Sequence, residues 1–131
     1  MSSQLAANSC ANARYFDVAE LRELRGYLGA PGARALFDTF AEELPRYRSA
    51  LEAAMAQRDL QALARTVHTL RGTALSFSCT GLAPLCESVQ ENCDRGDLEA
   101  CRKSATALAY SYVCALVELQ SLRAPGGVLA A

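Results

Sequence analysis

The sequence predicts an all-α domain: an antiparallel up-and-down four-helix bundle with an additional short N-terminal helix. Three observations carry this prediction. Apolar residues recur at steps of three and four along most of the chain. No segment alternates with period two over strand length, and no Asn-Gly hairpin turn occurs. Glycine and proline are sparse and fall where helices should end. Connections this short force neighbouring helices to run antiparallel. With 131 residues the chain is one domain long, divided into a flexible tail over 1–14, the bundle over 15–123 and a second flexible tail over 124–131.

The N-terminal helix spans about 17–28, with Val18, Leu21, Leu24 and Leu28 on its apolar side. The first bundle helix covers about 33–57 and uses Phe37, Phe40, Leu44, Tyr47, Leu51 and Ala54. Pro45 falls inside it and should kink it or split it in two. Asp59 is placed to cap the second helix, about 59–78, whose stripe is Leu63, Val67, Leu70, Ala74 and Phe77. The third, about 82–94, uses Leu82, Leu85, Cys86, Val89 and Cys93 and ends in the turn Asp94-Arg95-Gly96-Asp97. The fourth, about 97–123, runs through Leu98, Cys101, Ala105, Leu108, Tyr112, Ala115, Leu119 and Leu122 until Pro125, Gly126 and Gly127 stop it.

Composition removes several function classes. Lys+Arg total 13 against 14 Asp+Glu, so the basic excess that nucleic-acid binding needs is missing. No apolar run approaches the ~18 residues of a membrane span. The first residues carry no secretory signal, which predicts a cytoplasmic protein with reduced thiols. Six cysteines are present, but no pair has the spacing of a zinc knuckle or a redox motif. Steps of seven put Cys79, Cys86 and Cys93 near one line on a helix, where free cysteine serves as a small apolar filler.

No nucleotide loop of the GxxxxGK[ST] or GxGxxG type occurs, and one histidine cannot make a HExxH zinc site. That histidine is His68. With about 100° per residue, it lies about 140° from the middle of the stripe formed by Leu63, Val67, Leu70, Ala74 and Phe77, and so faces water. Arg65 and Arg71 flank it at minus three and plus three, close enough to share a surface patch on one helix. Gly72 costs about 1 kcal/mol against alanine inside a helix. On the outward face its use is to remove bulk so that another surface can approach the imidazole. Leu75 would make an apolar landing point for a partner beside it. The residues alone leave open an ordinary surface histidine. The functional alternative is a nucleophile that receives a group from a partner bringing its own catalytic apparatus, and phosphoryl transfer, which needs mainly positioning and charge neutralisation, suits it.

The string His68-Thr69-Leu70-Arg71-Gly72-Thr73-Ala74 resembles the signature of histidine-containing phosphotransfer (HPt) domains of bacterial two-component phosphorelays, H-x-L-K/R-G-S/A/T-A/S followed by G-A-x-x-L. The resemblance extends over roughly 17–120. Arg71 replaces the usual lysine, Ser78 stands where the family commonly has glycine and Cys79 where it has alanine, while Leu82 matches. The resemblance implies an antiparallel four-helix bundle with His68 as phosphoacceptor, Arg71 and Arg65 screening the phosphoryl charge, and Gly72 and Leu75 shaping the docking surface. It implies a non-enzymatic carrier without a cofactor. This carrier would be a monomer that takes the group from a receiver domain of a hybrid sensor kinase and passes it to the receiver of a response regulator. Mg²⁺ and the catalytic acidic residues would belong to those receivers. Two rivals remain at this stage. One is a helical interaction module that docks a receiver or another helix without carrying phosphate. The other is an enzyme pairing a cysteine with His68, which would need a reactive thiol on the outward face.

Overall fold

A computed structural model describes residue 10 and residues 14–130. Its helices are α1 (Val18–Ala56), α2 (Leu60–Ser76), α3 (Ala83–Asp94) and α4 (Leu98–Arg123), with a 3₁₀ turn at Thr80–Leu82 before α3. Helix α2 packs on α1 and α3, α3 packs on α4, and α4 returns to α1, which closes the bundle around one core. Short acidic caps set three of the starts. Asp17, Asp59 and Asp97 each accept a hydrogen bond from the backbone N–H three residues on, at 3.2, 3.0 and 3.0 Å, which satisfies one of the orphan donors of a first helical turn.

The predicted N-terminal helix and first bundle helix are the two limbs of α1. They meet at Gly29, whose φ of 75° and ψ of 161° lie outside the helical region, in a conformation essentially reserved for glycine. Pro31 follows in the first turn of the second limb, where a missing N–H costs nothing. The break expected at Pro45 does not occur, because Gly29 is the only non-helical residue within α1. Phe40 and Leu44 before Pro45, and Leu51 and Ala54 after it, are all buried. Their burial, about 1.5–3 kcal/mol for each large side chain, offsets the ~3 kcal/mol cost of an interior proline. Leu28, expected inside, is 47% exposed at the end of the first limb.

The apolar stripes otherwise meet in the core. Phe37 and Phe40 contact Phe16 and Phe77 edge-on or stacked, with centroids 4.3–6.4 Å apart. Cys79 is buried but precedes α3, so it does not continue the line of Cys86 and Cys93 along one helix.

Described residues near both ends are tied to the bundle. Cys10 and Cys114 form a disulfide, so these two are not reduced filler, and spacing rules could not see a partner 104 positions away. Such a bond persists in an oxidising setting and is open to reduction in the cytosol. The remainder of the 1–14 tail, apart from Cys10 and Arg14, lies outside the described residues. Buried Glu118 accepts the N–H groups of Tyr15 and Phe16 at 2.6 and 3.2 Å. Asp17 N–H donates to Ser78 O at 2.8 Å, and Gly81 N–H donates to Tyr15 O at 2.9 Å. At the other end the chain folds back: Leu129 N–H donates to Leu122 O at 2.8 Å and its side chain is buried.

Two substitutions test this description. A Cβ on Gly81 would fall 2.8 Å from Tyr15 Cα, so Gly81→Ala should lower stability by about 1–3 kcal/mol in urea denaturation. Ser78 holds a left-handed φ of 61°, and Ser78→Gly should raise stability by about 1 kcal/mol in the same assay.

Candidate functional site

Helix α2 decides which side chains can meet a visitor. Leu63, Val67, Leu70 and Ala74 are fully buried, and this stripe fixes the rotation of the helix. His68, about 100° on from Val67, is therefore exposed. Gly72 and Leu75 stand on the same outer side, Leu75 at 40% exposure. A Cβ built on Gly72 meets nothing within 4 Å. Packing within the chain therefore makes no demand for glycine there.

Two grooves flank the outer face of α2. The one towards α3 has a volume of about 350 Å³ and is lined by His68, Arg71, Cys86, Glu87, Gln90 and Glu91, with Val67 behind them. The one towards α1, about 510 Å³, is lined by Glu43, Arg46, Tyr47, Arg65, Thr66 and Thr69, with Ala50 at its edge. Arg71 and His68 thus share a groove, whereas Arg65 opens onto the opposite shoulder. Tyr47 Oη and Thr73 Oγ1 share a hydrogen bond of 2.8 Å that ties α1 to α2.

The electrostatics on the α3 side differ from what α2 alone suggests. Arg71 Nε donates to Glu87 Oε1 at 2.9 Å, and both side chains remain about half exposed. Glu91 adds a second carboxylate to the groove. Sequence reasoning missed Glu87, Gln90 and Glu91. Their signal was available in the turn spacing of α3, which sets 87, 90 and 91 on one strip beside the inward Cys86 and Val89.

Cys86, assigned from sequence to the core alone, also reaches this groove while remaining buried. Burial pushes its thiol up to about 12; Arg71 opposes the shift and Glu87 adds to it. Burial likewise pushes Cys93 up to about 12, with help from its hydrogen bond with Cys101. Neither is a thiolate at neutral pH, so the groove holds no activated cysteine for His68 to partner. No group of three or more His, Cys, Asp or Glu side chains that could hold a metal ion occurs among the described residues. Iodoacetamide at pH 8 should leave Cys86 unmodified in the native protein and label it fully in urea, read by peptide mass. As pH rises through 9 the unfolded chain ionises these thiols first, so native stability should fall between about pH 9 and 12.

Comparison with known proteins bears on the family and the fold. The family model described as the Hpt domain matches residues 35–124. Among solved structures, the chain is similar to the histidine-containing phosphotransfer protein B (HptB) of Pseudomonas aeruginosa PAO1. The TM-score is 0.71 and the identity 24%, covering 86% of this chain and 99% of that one. No curated protein sequence matches the chain.

Proposed function

The chain belongs to the Hpt domain family, whose members are phosphocarrier modules of two-component signalling, and on that premise we propose that His68 is its phosphoacceptor. One observation carries the reading. The chain has a single histidine, and it stands exposed on the outer face of α2 in a groove shared with Arg71.

In the proposed step a ring nitrogen of neutral His68 attacks the phosphorus of an aspartyl phosphate on a receiver domain. An N–P bond forms, and the P–O bond to the aspartate breaks. The receiver regains its carboxylate, and the hydrogen on the other ring nitrogen stays where it is. Reversal onto a second receiver completes the relay from a hybrid sensor kinase to a response regulator. Arg71 screens the charge on the phosphoryl oxygens through charge-assisted hydrogen bonds, and Arg65 adds positive potential from the far shoulder. Gly72 leaves room for the incoming surface, and Leu75 gives it an apolar contact. Mg²⁺ and the acidic groups that bind it belong to the receiver, so the chain itself is a carrier without a cofactor. The reading places it in the cytoplasm with its partners, acting as a monomer. No described helix is long and apolar enough to cross a membrane.

The test is incubation with receiver domains phosphorylated by acetyl phosphate. Wild-type protein should gain an acid-labile adduct of one phosphoryl group, and His68→Gln should gain none while keeping its helical circular dichroism. Continued labelling of that variant would remove His68 from the mechanism. Receiver binding without any adduct would leave only a docking module. Arg71→Ala should slow transfer about tenfold without abolishing it, because a positioned charge assists the step but is not consumed.

A further inference from the structure

Resting on the reading of His68 as acceptor, the Arg71–Glu87 ion pair raises a question of competition. The guanidinium that would neutralise the phosphoryl group is already engaged, Nε to Oε1 at 2.9 Å, by a carboxylate lining the same groove as His68. We infer that Glu87 is a competing counter-ion for Arg71 that limits how firmly His68 retains a phosphoryl group.

Three observations support this. The pair bridges α2 and α3, sixteen positions apart, so Glu87 is no incidental neighbour on the same helix. Both partners are partly exposed, Arg71 at 42% and Glu87 at 51% of the side chain. A pair so well solvated is weak enough to be exchanged. A phosphoryl group brings nearly two negative charges and three strong acceptor oxygens, which a forked guanidinium binds better than one carboxylate. When the group arrives, Arg71 turns from Glu87 to phosphate. Breaking the Arg71–Glu87 pair costs part of what the new contact gains. That cost weakens retention, and a carrier must release its cargo as readily as it accepts it. Glu87 does not touch the reacting atoms in this account; it is a positioning residue that acts through Arg71.

The experiment measures the equilibrium distribution of label between His68 and a receiver domain charged with acetyl phosphate. It compares wild type, Glu87→Gln, Arg71→Ala and the double variant. Glu87→Gln should shift the equilibrium towards His68 by up to about fivefold, the range open to a solvated pair. Arg71→Ala should shift it the other way. In the Arg71→Ala background the Glu87→Gln gain should fall to less than half. An unmoved equilibrium in Glu87→Gln overturns the inference, as does a gain of equal size in both backgrounds, which would mean a direct field effect without competition. A change confined to receiver affinity overturns it too. If wild-type protein takes label and His68→Gln does not, any of these three failures leaves the acceptor reading standing. If wild-type protein takes no label from any receiver, that reading and this inference fall together.

Discussion

The rotational setting of α2 is the constraint on which the site depends. Leu63, Val67, Leu70 and Ala74 are each fully withdrawn from water, and a turn of about 100° that carried His68 to the place of Val67 would swing Leu63 and Leu70 out towards water. Burying a large aliphatic side chain is worth about 1.5–3 kcal/mol, and three of these four are large. No surface ion pair, at about 0–1 kcal/mol, competes with that. The imidazole is therefore held outward by the side chains on the opposite face of its own helix. Its position requires no hydrogen bond from the ring.

That arrangement explains how few groups the site needs of its own. The outer face presents an imidazole, an adjacent guanidinium, an unobstructed glycine and an exposed leucine on one rigid helix. Rigid elements place such groups more reproducibly than loops do. The flanking helices then give the two shoulders different characters. Arg46 and Arg65 outweigh Glu43 on the α1 side, while Glu87 and Glu91 outweigh Arg71 on the α3 side. A partner docking on His68, as proposed, would meet this asymmetry, which favours one orientation over its reverse.

Much of this was legible in the sequence where the signal is local. Asp59 marks its helix start because a capping carboxylate acts within three residues. The stripe of α2 located both the core and the exposed histidine because helical period alone separates its faces. The failures involve partners far apart in the chain. Cys10 finds Cys114, Leu129 returns to Leu122, and Arg71 finds Glu87 only once α3 lies against α2. The interruption at Gly29 lies in the gap the sequence leaves between 28 and 33. The further kink expected at Pro45 is absent, because the flanking core residues absorb the proline's cost.

The hydrogen bonds that Glu118 accepts from Tyr15 and Phe16 bear on where the autonomous folding unit begins. The stretch shared with the family starts at 35, yet Phe16 and Leu21 are built into the core. Excising the chain at that homology boundary would strip both from the interior. It would also strand a buried carboxylate without its donors, a loss of at least about 1–3 kcal/mol. The smallest self-sufficient fragment of this protein therefore has to include residues upstream of α1 that a family alignment would discard as a leader.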